Sequence, residues 1–192
     1  ATYLAPRVNR AIGRVVVKAA AIRVWLRKLV KKLAKKDRGL GWVVPTGFPV
    51  IHEYREEEDR RIDTVRGKVL VKEENPELKI RTRKQANSIV PNLIHSLDAA
   101  HMMLTVRELV AQGLSDFSMV HDSYAVHACD VDLMNKVLRE QFVRIHTEFT
   151  LAKFLEQVKA GAPGIRFTKK SAPPELGTLD LDAVRESVYF FS

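Results

Sequence analysis

The chain has 192 residues, 46% of them apolar and 29% charged, which is the balance of a folded domain with a buried core. Nine glycines and eight prolines exclude collagen-like and low-complexity classes. The one cysteine, Cys129, excludes a disulfide framework and any multi-cysteine metal site. No apolar run approaches the ~20 residues that span a bilayer, so no membrane partner is expected.

The net charge of +9 is unevenly placed. Residues 1–48 hold twelve Lys and Arg against one acid, Asp37, while the rest of the chain holds twenty basic and twenty-two acidic residues. A basic end of this kind suits a polyanionic partner such as nucleic acid, and it equally suits a solvated helix face.

In chain order, residues 9–36 read as one long helix. Ile12, Val15, Val16, Ala19, Ile22, Leu26, Leu29 and Leu33 recur at three- and four-residue spacing. Lys31, Lys32, Lys35 and Lys36 crowd its last turns, where cations suit the helix dipole, and Gly39 and Gly41 are expected to stop it. The chain starts at Ala1 without a methionine or a capping signal, so it is expected to be part of something longer.

Residues 42–54 are extended and punctuated by turns, and 55–61 are densely charged. Alternating runs at 64–72 and 77–82 flank Glu73-Glu74-Asn75-Pro76, which predicts an exposed, polar β-hairpin. A second long helix is expected over 91–112, with Pro91 in its first turn and Gly113 ending it. Residues 117–120 and 124–127 read as short strands joined by His121-Asp122-Ser123. Asp130 is placed as the cap of a third helix, whose apolar face carries Leu133, Val137, Leu138, Phe142 and Ile145. Residues 151–159 form its continuation or a separate helix. A Gly/Pro/Lys-rich loop comes next at 161–175, then a short helix near 180–187 and the aromatic end Tyr189-Phe190-Phe191-Ser192.

Two constellations could carry chemistry. A carboxylate at a tight turn between rigid strands, as at Asp122, can bind a hard cation such as magnesium. An aspartate there can equally bond its own backbone. His95, Asp98 and His101 succeed one another at spacings of three on the second helix. Hydrogen-bonded helical pairs account for this arrangement more readily than a zinc site.

Four blocks of sequence, in order, resemble one family. The first is Trp42-Val-Val-Pro-Thr-Gly-Phe-Pro-Val with Glu53-Tyr54. The second runs from Lys84 as Lys-Gln-Ala-Asn-Ser-Ile-Val-Pro-Asn-Leu-Ile-His-Ser-Leu-Asp-Ala-Ala-His. The third is Met119-Val-His-Asp-Ser-Tyr, and the fourth is Gly177-Thr-Leu-Asp-Leu-Asp-Ala-Val-Arg-Glu-Ser with the aromatic end. Together they resemble the C-terminal part of the single-subunit DNA-directed RNA polymerases, phage-type and mitochondrial.

The resemblance implies a role for each block. Asp122 matches one of two aspartates that hold the catalytic Mg2+ ions, and His121 precedes it as in the family. Ser123 stands where related DNA polymerases usually carry Glu, which points to RNA synthesis. His95 matches a histidine on the minor-groove, 2′-hydroxyl side of the nascent pair. Residues 64–80 match the promoter-specificity hairpin, with Arg66, Lys68, Lys72, Lys79 and Arg81 as candidate DNA contacts, and a two-stranded ribbon fits a major groove. Independently of the resemblance, the basic end of the first helix offers Lys31, Lys32 and Lys35 as candidate phosphate contacts. Phe191 and Ser192 match the end of the C-terminal foot, with serine as a departure.

The expected fold is α+β: predominantly helical, packed around a short antiparallel palm β-hairpin, with an additional exposed β-hairpin. The expected division is a basic helix and connector at 1–48 and a specificity hairpin region at 49–83. A palm segment with the catalytic hairpin is expected at 84–160, and a C-terminal foot at 161–192. The implied reaction is template-directed ribonucleotidyl transfer, with template and promoter DNA, RNA product and nucleoside triphosphates as partners. Nothing in residues 1–48 matches the family's other catalytic motifs, so the upstream part of the polymerase is a further partner and the isolated chain is expected to be inactive. The expected setting is the cytoplasm of a phage-infected bacterium, with the mitochondrial matrix as the alternative. A family-A-like DNA polymerase fragment and a non-catalytic basic nucleic-acid-binding module are the competing readings.

Overall fold

The structure, a computed structural model, describes residues 3–120 and 123–190. It is a predominantly helical α+β fold with three small antiparallel hairpins. None of its described helices is long and apolar enough to cross a membrane. The chain divides into two compact units: residues 1–41, 51–90 and 158–174 form the first, and residues 42–50, 91–157 and 175–192 the second.

The first unit opens with two helices, α1 (Leu4–Val15) and α2 (Val17–Ala34), where periodicity predicted one. Val16, between them, has φ −107° and ψ 59°. Three successive β-branched valines, Val15 to Val17, disfavour helix at this point. The hydrogen-bond ladder still crosses the break, since Val16 N donates to Ile12 O and Ala20 N to Val16 O. Burial begins only at Trp25: Trp25, Leu26, Leu29, Val30, Leu33 and Ala34 are buried, while Ile12, Val15, Val16 and Ala19 are not. Asp37, not glycine, turns the chain out of α2, with φ 52°, and Arg38 N bonds back to Leu33 O. Gly39 has a packing role instead, because a Cβ there would lie 2.3–2.9 Å from the Glu53 side chain.

Asp37 fastens the end of α2 to two later parts of the chain. Its Oδ1 accepts from Ile80 N at 2.9 Å and its Oδ2 from Arg55 Nη1 at 3.3 Å. The Ile80 hydrogen bond, with help from Arg55, holds the carboxyl below its ordinary range. Arg55 also donates to Glu53 Oε1 and to Leu78 O, both at 2.7 Å.

The chain returns through β1 (Leu40–Val43) and β2 (Pro49–His52), joined by a turn at Pro45-Thr46-Gly47 in which Gly47 has φ 86°. The exposed hairpin is present but shifted from its expected limits. Its strands are β3 (Glu57–Thr64) and β4 (Gly67–Glu74), with Val65-Arg66 as the turn. Run 77–82 is not an arm of it. Arg55 bridges Ile80, Glu56 N donates to Lys79 O, and Arg81 N donates to Tyr54 O, so 79–81 closes the hairpin's base. Across the ladder Asp59 opposes Lys72 and Asp63 opposes Lys68, while at the base the like pairs Glu57↔Glu74 and Glu58↔Glu73 are offset by Arg81 and Lys84 on Glu57 and by Arg60 on Glu73.

A long helix, α3 (Thr82–Ala111), passes from the first unit into the second with Pro91 inside it rather than in its first turn. It ends at Gly113 as expected, with φ 95° and Leu114 N bonded to Leu109 O. The second unit continues through β5 (Phe117–Val120), β6 (Ser123–Val126), α4 (Val131–Glu148) and α5 (Leu151–Ala160), which is a separate helix. A 3-10 turn at Ala128–Asp130 precedes α4, and the Asp130 side chain makes no capping bond. The last short helix is also 3-10, at Asp182–Glu186. Trp42, Leu93, Leu104, Leu109, Val137, Ile145 and Phe154 are buried in this unit. Trp42 Nε1 donates to Ser96 Oγ, and the Trp42 ring meets Phe154 edge-on.

His52 and Gln85 form a buried clasp in the first unit. His52 Nε2 donates to Gln85 O at 2.9 Å, Gln85 Nε2 donates to His52 O at 2.5 Å, and Tyr54 N donates to Gln85 Oε1 at 2.9 Å. Burial pushes the His52 pKa below its ordinary value, although the Gln85 bond opposes the shift. Unfolded histidine titrates near ~6.5, so the unfolded chain binds this proton first as pH falls. His52 therefore contributes stability that is present above about pH 6.5 and lost below it. Chemical denaturation at pH 7.5 and 5.5 should show lower stability at 5.5. Gln85→Ala should cost about 2–3 kcal/mol at pH 7.5, because it leaves buried partners unpaired.

Candidate active-site hairpin and nucleic-acid surface

β5 and β6 pair antiparallel, Phe117↔Val126, Ser118↔Ala125, Met119↔Tyr124 and Val120↔Ser123. Phe117, Met119, Tyr124 and Val126 are half-buried, while Ser118, Val120, Ser123 and Ala125 are exposed. That alternation gives the hairpin one packed face and one open face of mostly small residues. The last pair, Val120↔Ser123, brackets His121 and Asp122. These two residues, the expected catalytic pair, lie outside the described residues.

The packed face is held by α3 and α4. His101, on α3, is 6% exposed, and its Nε2 lies 2.8 Å from Leu138 O on α4. A carbonyl only accepts, so Nε2 carries the proton. Nδ1 is then able to accept from the Tyr124 hydroxyl, 3.4 Å away on β6. Burial lowers the His101 pKa, against the Leu138 bond and the charge of Asp98, so the ring is neutral near pH 7. His146 is lowered for the same reason, with His101 adding to the effect. His101 thus bonds to α4 and β6, and not as a simple pair with Asp98. His95 and Asp98 lie on the same helix, both exposed. Among the described residues no group of three or more His, Cys, Asp or Glu could hold a metal. Asp116 sits at the far end of β5, with its carboxylate accepting from Ser115 Oγ at 2.7 Å. At ~3.3 Å per strand residue it is well over 10 Å from the closing pair Val120↔Ser123.

The candidate DNA contacts separate into distinct environments. Arg66 is at the tip of the exposed hairpin, and Lys68 and Lys72 are on β4, opposite Asp63 and Asp59. Lys79 and Arg81 lie at its base, where Arg81 Nη1 donates to Glu57 Oε1 at 2.5 Å. The pattern of the sequence alone does not single out Arg61. On the ribbon it opposes Leu70, so no acid faces it across the ladder. Among the basic-helix residues, Lys31, Lys35 and Lys36 are exposed. Lys32 instead donates to Arg166 O at 2.5 Å and lies 4.8 Å from the Phe167 ring centroid. Trp25 Nε1 donates to Ser171 O in the same segment. Phe191 and Ser192 lie outside the described residues. The last described residue, Phe190, meets Phe142 edge-on at 5.0 Å.

This is a helical scaffold that presents one short, held hairpin and one free-standing ribbon. The model of the DNA-dependent RNA polymerase family matches residues 1–172. The mitochondrial DNA-directed RNA polymerase 1B of Nicotiana tabacum is 38% identical over 192 residues, covering 100% of this chain and 19% of its own length. The human mitochondrial DNA-directed RNA polymerase is 36% identical over 203 residues, covering 99% of this chain and 16% of its own. The DNA-directed RNA polymerase 2A of Nicotiana tabacum is 37% identical, covering 100% of this chain and 56% of its own. The chain belongs to the DNA-dependent RNA polymerase family, of the single-subunit type, as the four blocks implied, and matches the C-terminal part of these relatives. It spans about a fifth of the length of the first two.

The contrast among the lysines can be measured. Lys32→Met keeps the apolar stem and removes the bond to Arg166 O, so it should expose 165–171 to limited proteolysis. Lys35→Met should leave the cleavage pattern unchanged.

Proposed function

We propose that this chain supplies the metal-bearing hairpin of a template-directed RNA polymerase. The observation that carries this reading is the β5–β6 hairpin itself, closed around His121-Asp122 within a chain of this family. Mg2+ bound at Asp122 would supply positive charge to the attacking 3′-hydroxyl oxygen and the leaving pyrophosphate. The remaining oxygen ligands would come from elsewhere in the complete polymerase, since this chain spans 19% of the length of the Nicotiana tabacum 1B enzyme. The chain's own contribution is placement. The strand pairing fixes the backbone on both sides of Asp122, and the open face of Ser118, Ser123 and Ala125 leaves room for a primer end. His95 faces solvent on α3 and is suited to the 2′-hydroxyl side of the nascent pair.

The exposed hairpin is read as a promoter-contacting ribbon. Its base is acidic, with Glu57, Glu58 and Glu73, whereas 60–72 carries Arg60, Arg61, Arg66, Lys68 and Lys72 against Asp63 alone. Charge polarised in this way places cations where a groove would receive them. Lys31, Lys35 and Lys36 are read as phosphate contacts. The printed names of the relatives favour an organelle polymerase over one from a phage-infected cell.

In the complete polymerase, Asp122→Asn should lower ribonucleotide addition roughly 100-fold or more with template affinity nearly unchanged. Near-normal addition would overturn the assignment. Replacing 60–71 by Asn-Gly, joined at the Asp59↔Lys72 pair, should abolish promoter-specific initiation and spare extension of a preformed primer. Equal loss of both would make the ribbon structural. Neutralising Lys31, Lys35 and Lys36 together should weaken binding about equally across sequences. The salt slope should fall by up to about 0.9 for each phosphate that is no longer neutralised.

A further inference from the structure

The 3-10 turn at Asp182–Glu186 contains no buried residue, and Val188 and Tyr189, just after it, are 88% and 85% exposed. Beyond half-buried Val184 and Phe190, apolar burial holds little of this segment. Arg139, on α4, bonds it directly. Its Nη1 donates to Val184 O at 2.9 Å, to Ser187 O at 2.5 Å and, more weakly, to Arg185 O at 3.4 Å. Its Nε donates to Asn135 Oδ1 at 2.6 Å, one turn earlier on α4, which aims the guanidinium. The same guanidinium lies 5.5 Å from the Phe190 ring centroid.

Phe190 begins a continuous path of rings. It meets Phe142 edge-on at 5.0 Å, Phe142 meets His101 at 5.9 Å, and His101 meets Tyr124 at 6.1 Å. Tyr124 pairs with Met119, one pair from the closed end of the β5–β6 hairpin. We propose that Arg139 is a positioning residue for nucleotide addition: by latching 184–187 it seats Phe190 on Phe142, and the ring path carries that seating to β6. The proposal rests on the reading that this hairpin carries the catalytic carboxylate.

The test is single-nucleotide addition by the complete polymerase in Arg139→Ala, Phe190→Ala, the double variant and Arg139→Lys, with Asp122→Asn alongside. Arg139→Ala should lower kcat ~10–100-fold, with KM for the nucleotide and template affinity within about twofold. Both residues act on one seating, so the double variant should be within about twofold of the slower single. Arg139→Lys keeps the charge without the planar fork and should recover part of the rate. Amide exchange at Tyr124 to Val126 should quicken in Arg139→Ala. An unchanged kcat or unchanged exchange overturns the latch, as do losses that multiply in the double variant. If Asp122→Asn is inactive in that same experiment, the catalytic reading survives the loss of the latch. If Asp122→Asn is active, the catalytic reading falls and the latch with it. Should Arg139→Ala not fold, Phe190→Leu removes the ring edge while keeping apolar bulk, and full kcat in that variant overturns the proposal.

Discussion

Two strands of four residues cannot hold themselves in water, and the second unit is arranged around that constraint. The β5–β6 ladder has only four residue pairs. Its order must come from the groups that lie against its packed face. His101 contributes to that order with one ring, its Nε2 bonded to Leu138 O on α4 and its Nδ1 3.4 Å from the Tyr124 hydroxyl on β6. The ring can do this only while neutral, since a second proton on Nδ1 would remove the acceptor that the Tyr124 hydroxyl meets. Burial keeps it neutral. A methyl or phenyl group could fill the same space but could not bond both neighbours.

The exposed ribbon solves the opposite problem. Its strands are eight residues each, and nearly every side chain is exposed. No core fixes its register, so cross-strand charge and its base must. Asp59 against Lys72 and Asp63 against Lys68 penalise a one-residue slip, but Glu57 against Glu74 and Glu58 against Glu73 favour one, so the ties at the base decide the register. At the base, Glu57 receives Arg81 and lies 3.5 Å from Lys84, while Arg55 and Asp37 tie the adjoining bridge to the end of α2. The ribbon is therefore rigid at its root and open along its length.

The elements legible in the sequence were those whose pattern had a single physical cause. Gly113 ended α3 because only a positive φ closes that turn, and 117–126 read as a hairpin because two apolar runs flanked a tight turn. The errors came where tertiary context overrode local preference. Glu57–Thr64 has too few apolar residues to look like a strand and depends on its partner strand for its order. Pro91 suggested a helix start, yet α3 runs through it from Thr82. The apolar spacing through Ile12 to Val16 promised a buried face that the fold leaves exposed. Lys32 looked like its neighbours in a run of cations, and only the fold shows it bound to Arg166. Arg139 gave no sequence signal, because its partners are carbonyls, which every residue carries.

The two hairpins also differ in what each can tolerate. A group that holds a metal within a fraction of an ångström needs a backbone that does not flex, and short strands held by α3 and α4 would meet that need on the proposed reading of β5–β6. An element that must enter a groove needs the reverse, because any side chain buried to steady it is lost to recognition. Arg61 and Arg66 face no acid across the ladder, whereas Lys68 and Lys72 do. If the ribbon reads a promoter, the paired lysines help fix its register, which leaves the two arginines, with their planar forks, as the groups free to read bases. On that reading, recognition and register would fall to different cations on one ribbon, and the sequence at the tip could change without unfolding the strands that carry it.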